Sequence, residues 1–263
     1  AQVDAHTIHA LDEQSGKPRW SYVAGGRIDS PPTVYQGKAV FGAADGWVYC
    51  LRAADGILVW RYRAAPGIRR IVSYGRLESA WPVSGSVLVM NDIVYCAAGR
   101  SSFLDGGIRL CRLNASTGQL LSDTPLSSYD QDGQTLESAV RVRGTEMPGA
   151  LPDVLSSDGE FVFMRHLKFD LDGVQRKGAT PHLFSSVGFL DDHFWHRTYW
   201  IYGTNFNSGW GGWWRVGNRV PSGRLLVMSD SEIFGFGRNF MPSGNAYQWR
   251  KGESYRFFAA PKQ

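Results

Sequence analysis

Leu11-Asp12-Glu13-Gln14-Ser15-Gly16-Lys17-Pro18-Arg19-Trp20-Ser21-Tyr22 returns 40 residues later as Leu51-Arg52-Ala53-Ala54-Asp55-Gly56-Ile57-Leu58-Val59-Trp60-Arg61-Tyr62. Leucine, glycine, tryptophan and tyrosine hold the same places in both copies. A third copy, Leu113-Asn114-Ala115-Ser116-Thr117-Gly118-Gln119-Leu120-Leu121, keeps the front half. A fixed period of this length means that one supersecondary unit is stacked, because a single unit cannot bury its own apolar faces.

The stretch between the first two copies gives the content of the unit. Pro32-Thr33-Val34-Tyr35 reads as a strand, Gln36-Gly37 as a turn, and Lys38-Ala39-Val40-Phe41-Gly42 as the next strand. Asp45-Gly46 is a hairpin turn of the Asp-Gly kind. Trp47-Val48-Tyr49-Cys50-Leu51 follows, then the Asp55-Gly56 turn, then Leu58-Val59-Trp60-Arg61-Tyr62. Four short antiparallel strands joined by tight turns make one propeller blade. Residues 86–90, 93–97, 108–113 and 120–121 repeat the order. Strand patterns at 160–166, 224–228, 232–236 and 255–258 mark further units more weakly. The fold class is all-β: a β-propeller of four-stranded antiparallel blades, with about 4–5 blades visible and the ring incomplete. The Gly of each repeated turn is expected at positive φ, and the Trp beyond it is expected to pack between blades.

The remaining composition narrows the function. The chain has 263 residues and a net charge of +4, with 28 basic and 24 acidic side chains. The basic residues are scattered, which argues against a nucleic-acid footprint. No run of 18 apolar residues suggests a membrane span. The N-terminus does not read as a signal peptide, and suggests the start of a mature or trimmed chain. Cys50, Cys96 and Cys111 have no metal-type spacing, and sit in apolar strand patterns as buried thiols.

The segments quoted above, with Gly25-Gly26-Arg27-Ile28-Asp29-Ser30-Pro31-Pro32 before them, resemble the PQQ-type β-propeller repeat. That repeat is shared by quinoprotein dehydrogenases and by the non-catalytic outer-membrane assembly lipoprotein BamB. The resemblance is strong over residues 5–122, moderate over 222–240 and weak between. It looks especially like the PQQ-like propeller proteins of planctomycete-type bacteria. The resemblance implies an exported protein, periplasmic or extracellular in a bacterium. It does not by itself imply a quinone, since many members bind none. In the dehydrogenases a vicinal Cys-Cys disulfide lies against the quinone, with a Trp on its other face and Ca²⁺ nearby. This sequence has no Cys-Cys pair. Complete rings of the family resemble seven or eight blades. The chain is therefore expected to be part of a longer parent, to hide strands in its divergent middle, or to be completed by another subunit. Its opening in mid-blade favours the first.

Residues 1–263 read as a single propeller domain or fragment with insertions at 64–85, 123–152 and 181–214. The first carries Arg69, Arg70, Arg76, Glu78 and Trp81, and links one blade to the next. Such loops line the face where propellers bind. Residues 100–107 form a Gly-rich loop that suits an anion or a sugar hydroxyl, although a plain polar hairpin is the simpler reading. The third insertion holds His182, Asp191, Asp192, His193, His196, Arg197 and five tryptophans. Asp191, His193 and His196 are metal-capable types, and with Arg197 they are the candidates for catalysis. A polar turn with structural histidines reads more simply, because His-x-x-His puts the two imidazoles on opposite faces of a strand. Trp210 and Trp213 suit a flat ligand wall, and Arg76 and Glu78 are the candidates to face them.

The primary functional reading is a non-catalytic scaffold that binds a protein or a glycan, with no cofactor. The alternatives are a quinoprotein-type dehydrogenase domain with PQQ and Ca²⁺, and a secreted polysaccharide-active enzyme using the His- and Trp-rich insertion.

Overall fold

The computed structural model describes residues 5–73, 75–134, 150–152, 154–178, 180–185, 200–204, 220–237 and 256–262. The described residues are strands and connections, and none of their segments is a helix able to cross a membrane. Sheet one pairs β1 (Thr7–Leu11) with β2 (Pro18–Val23). Sheet two runs β3 (Thr33–Tyr35), β4 (Lys38–Gly42), β5 (Trp47–Arg52), β6 (Leu58–Arg63). A separate hairpin, β7 (Arg70–Ser73) with β8 (Arg76–Ser79), rises between sheets two and three. Sheet three is β9 (Leu88–Met90), β10 (Ile93–Ala98), β11 (Ile108–Asn114), β12 (Leu120–Leu126). Sheet four is β13 (Leu155–Ser157), β14 (Phe161–Met164), β15 (Leu167–Asp170), β16 (Gln175–Arg176). Sheet five is β17 (His182–Ser185), β18 (Trp200–Gly203), β19 (Ser222–Gly223). Sheet six is β20 (Leu225–Met228), β21 (Glu232–Gly237), β22 (Arg256–Pro261).

Consecutive strands pair antiparallel in every sheet, as blades require. Successive side chains on a strand point to opposite faces. In sheet two Val40, Cys50 and Trp60 lie in one cross-strand row, and Phe41 and Tyr49 in another. The first row meets Val94, Cys96, Cys111 and Leu113 of sheet three. The second meets Ile8, Trp20 and Tyr22 of sheet one. A sheet buried on both faces explains why β4 and β5 read as continuous apolar runs rather than alternating ones. Sheet three turns Tyr95, Ile108 and Leu110 onto Leu155, Val162 and Met164 of sheet four. Phe163 of sheet four stacks on His182 of sheet five, with ring centroids 4.1 Å apart.

The repeated turns explain how neighbouring sheets are clasped. Gly16, Gly56 and Gly118 have φ of 66°, 74° and 71°, so each turn requires a residue free of left-handed strain. Asp12 accepts from the amide of Ser15 at 2.9 Å, and Asn114 accepts from those of Ser116 and Thr117 at 2.9 Å. The Trp20 indole donates to Ala53 O at 3.0 Å, and that of Trp60 to Ala115 O at 3.1 Å. A Cβ on Gly56 would lie 2.6 Å from the Trp20 ring, and one on Gly118 2.6 Å from Trp60. Glycine is therefore needed twice over, for the turn and for the indole laid on it. Trp60 is 8% exposed, whereas Trp20 is only half-buried. The third joint lacks the indole, since the equivalent position is Ser122. There Arg112 donates to Asp172 O at 3.1 Å and Ser122 Oγ to the same oxygen at 3.3 Å, beside Gly173.

Among the described residues the blades are a half blade of two strands and five sheets of three or four, in keeping with an incomplete ring of about 4–5 blades. The least expected is sheet five, whose β17 and β18 lie within the segment read as the 181–214 insertion. Its strands are short and widely spaced, and no Asp-Gly pair stands between them in the sequence, so the repeat signal vanishes there.

Candidate functional site

The connections separate into two ends. The turns Asp12–Lys17, 53–57 and 115–119 lie at one end of the strands, with the clasping tryptophans. The connections 24–32, 43–46, 64–87 and 99–107 lie at the other, because successive hairpins of a blade alternate ends. This second end is long, charged and irregular.

Its loops are laced together through the backbone. Ala44 N donates to Arg27 O at 2.7 Å, and Ser79 N to Ala44 O at 2.9 Å. Val83 N donates to Ala43 O at 3.0 Å, and Gly99 N to Pro82 O at 2.9 Å. Ser30 Oγ donates to Gly85 O at 3.0 Å. Ser102 Oγ accepts from Ala150 N at 2.7 Å and lies 2.7 Å from Ser128 Oγ. The β7–β8 hairpin stands on this lattice. One of its faces carries Ile71, Ser73, Arg76 and Glu78, the other Arg70, Val72, Leu77 and Ser79, by the register Ile71↔Glu78 and Val72↔Leu77.

The inward face builds a buried charge knot. Glu78 is 6% exposed and lies 2.9 Å from Nη1 of Arg27. Arg27 Nε donates to Asp29 Oδ1 at 2.6 Å. Two carboxylates thus share one guanidinium. Asp29 Oδ2 and Glu78 Oε1 are buried with no aligned hydrogen bond. Burial raises the carboxyls of both residues above their ordinary values, and Arg27 only partly offsets that. Asp45 lies close by in the chain path: Gly25 and Gly26 pass so near that a Cβ on either would lie within 2.4 Å of it. Burial raises its carboxyl too, and it accepts from Tyr49 Oη at 2.5 Å.

The outward side has the reverse stoichiometry. Asp105, on the 99–107 loop, accepts from both Arg69 and Arg100. Two guanidiniums share one carboxylate here, and Arg69 is 60% exposed. Trp81 donates its indole N–H to Asp105 O at 2.8 Å, and Arg69 lies 5.9 Å from the centre of its ring. The loop that sequence read as a possible anion cradle is thus a hub joining two connections.

The sequence-derived site residues divide. Arg76 and Glu78 sit together on the inward hairpin face, and Glu78 is an internal ion-pair partner rather than a solvent-facing contact. Asp191, His193, His196, Arg197, Trp210 and Trp213 lie outside the described residues. His182 is structural: Nδ1 meets Thr180 O at 2.7 Å, Nε2 meets Arg165 O, and the ring stacks on Phe163. Cys50, Cys96 and Cys111 are free and buried, and burial pushes the Cys50 thiol up to about 11, which makes it a poor nucleophile. Sequence reasoning missed Arg27, Asp29 and Asp45 as a cluster. They are short-range neighbours of glycines and prolines in the chain, and only the fold brings Glu78 to them.

Among the described residues, no three His, Cys, Asp or Glu side chains are placed to hold a metal ion. The orphan oxygens of Asp29 and Glu78 flank a guanidinium, whose charge opposes a cation.

A family model described as outer membrane protein assembly factor BamB matches residues 2–159. No curated protein matches the chain. Among solved structures the chain is similar to BamB from Moraxella catarrhalis, at 14% identity over 89% of this chain and 65% of that one, with a TM-score of 0.46. It is also similar to quinohemoprotein alcohol dehydrogenase from Comamonas testosteroni, at 16% identity over 74% of this chain and 37% of that one, with a TM-score of 0.51. The chain spans less than two thirds of the length of either protein. At 16% identity the second likeness shows the propeller fold alone.

Proposed function

The chain belongs to the PQQ-like repeat family of the outer membrane protein assembly factor BamB, and on that premise we propose that it is a non-catalytic scaffold holding a protein ligand at the long-connection end of its sheets. The observation that carries this reading is the use made of the charged groups there. Arg27, Asp29, Glu78, Arg69, Arg100 and Asp105 tie loop to loop, so the surface above them is preorganised. A rigid surface loses little conformational freedom on association, which favours binding. The family's description names an outer membrane protein assembly factor, which supports a protein ligand. A protein ligand is favoured over a glycan because, of the rings at this end, Trp81 is already engaged by Arg69 and Asp105, and Phe103 packs edge-on against Tyr129. The same reading puts the protein outside the cytoplasm, periplasmic or extracellular.

The test is photo-cross-linking in cells, with the reactive residue at position 104 on the long-connection end or at position 57 on the turn end. Both native residues, Leu104 and Ile57, are exposed. A discrete protein adduct from position 104 and none from 57 is expected. Adducts from 57 alone would contradict the reading. So would oxidation of an alcohol by the purified chain supplied with PQQ and Ca²⁺.

A further inference from the structure

The β7–β8 hairpin exposes an apolar pair. Its inner face carries Ile71, Ser73, Arg76 and Glu78, and its outer face carries Val72 and Leu77 with Arg70 and the buried Ser79. Val72 and Leu77 are cross-strand partners, 76% and 62% exposed. Ile68, just before β7, is 84% exposed. Arg70 shares the face of Val72 and is exposed as well. Exposed apolar side chains scattered singly need no explanation, but a cross-strand pair flanked by arginines does. Ordinary edge hairpins carry charge outward to avoid pairing.

The charge around this face has a definite sign. The connections 24–32, 43–46, 64–87 and 99–107 carry five arginines against four carboxylates. Asp29, Glu78 and Asp105 are committed to internal ion pairs with their side chains almost fully covered, and Asp45 accepts from Tyr49. What reaches solvent is positive: Arg69 beside Trp81, and Arg70 on the hairpin. Arg69 and Arg100 share the one carboxylate of Asp105, so that trio keeps a net positive charge beside the hairpin.

We propose that the outward face of the β7–β8 hairpin, with Ile68, Arg69, Arg70, Val72 and Leu77, is the docking surface for an acidic segment of a partner protein in which carboxylates alternate with apolar residues. The proposal rests on the protein-scaffold reading above and names the chemistry of its ligand. Charge complementarity selects the acidic side chains, and the Val72 and Leu77 pair selects the apolar ones between them. A nucleic acid or a sulfated polymer would match the arginines but leave Ile68, Val72 and Leu77 uncovered.

The test uses a labelled synthetic peptide of alternating glutamate and leucine, with an alternating lysine and leucine peptide as control, read by fluorescence anisotropy at low and physiological salt. The glutamate peptide should bind and weaken several-fold with salt, and the lysine peptide should not bind. The Arg70→Ser, Leu77→Ser double variant should lose about tenfold or more in affinity, as removal of central anchors does. Circular dichroism and the denaturation midpoint of that variant check that it is folded. Equal binding of both peptides, or binding unchanged in a folded double variant, would overturn the proposal. So would failure of the peptide with retention of a sulfated polysaccharide at the same residues. Peptide failure together with a protein adduct from position 104 would sink this proposal while leaving the scaffold reading standing.

Discussion

The two ends of the sheets solve one problem, holding neighbours together, with opposite chemistry. At the turn end, Trp20 and Trp60 lie on Gly56 and Gly118 and donate to carbonyls of the next sheet. At the long-connection end, Arg27 and Asp105 gather opposite charges from two connections each. The first device buries apolar area and repeats. The second buries little apolar area, occurs once in each form, and sets charged side chains in place. The difference fits the proposed division, with stability assigned to the turn end and recognition to the other. Loss of an indole clasp should lower stability without altering what the folded protein binds at the other end, and the reverse should hold for the exposed arginines.

The largest effect that could break this comparison is at Trp60. Trp60→Ala should cost about 3–5 kcal/mol in chemical denaturation, as large buried aromatics do. A loss near zero would mean that the clasp is ornamental. Next comes its partner. Gly118→Ala adds a methyl 2.6 Å from the Trp60 ring at a φ of 71°, and should cost about 1–3 kcal/mol. The third joint sharpens the point, because it has the same geometry without an indole. Arg112→Ala should cost only about 1 kcal/mol, the scale of hydrogen bonds without a large buried ring. Equal losses at Trp60 and Arg112 would show that the polar joint is as strong as the aromatic one.

The charge knot yields a pH dependence of known sign. Asp29 and Glu78 are raised by burial in the folded protein. A carboxyl raised on folding contributes stability below its unfolded value, and that contribution is lost as pH rises through the folded one. Glu78→Gln, which cannot ionise, should therefore match the parent chain near pH 4. It should gain on it by about 1 kcal/mol as the pH is raised to 7, the ordinary size of a single substitution's effect. A gap that widens toward acid instead would reverse the account of the knot. The smallest effect belongs to the hairpin's outer face. Arg70→Ser with Leu77→Ser should change the stability by less than about 0.5 kcal/mol, since both side chains are exposed.

The same division explains what could be read from the chain. The turn end is local: Leu, Gly, Trp and Tyr recur at fixed spacing because each clasp uses a turn and the strand that follows it. Strands β3 to β6 and β9 to β12 were legible for that reason. Sheet five was not, since β17 and β18 are four residues each with no Asp-Gly pair between them in the sequence. The long-connection end is non-local. Arg27 and Glu78 are 51 positions apart and Arg69 and Asp105 are 36 apart. No spacing rule joins them, and only the stacking of sheets one to three brings them within reach. The sequence reading places Arg76 and Glu78 in a connecting loop facing the tryptophans of the third insertion, which lie outside the described residues. It could not reveal that their strand face turns inward onto a buried arginine.

Amide hydrogen exchange of the chain, alone and saturated with the partner captured through position 104, tests the division of labour most directly. New protection is expected at residues 68–79 and 100–105, with none at the turns 53–57 and 115–119. Protection centred on those turns, or spread along the outer strands β6 and β12 with the hairpin unchanged, would contradict it.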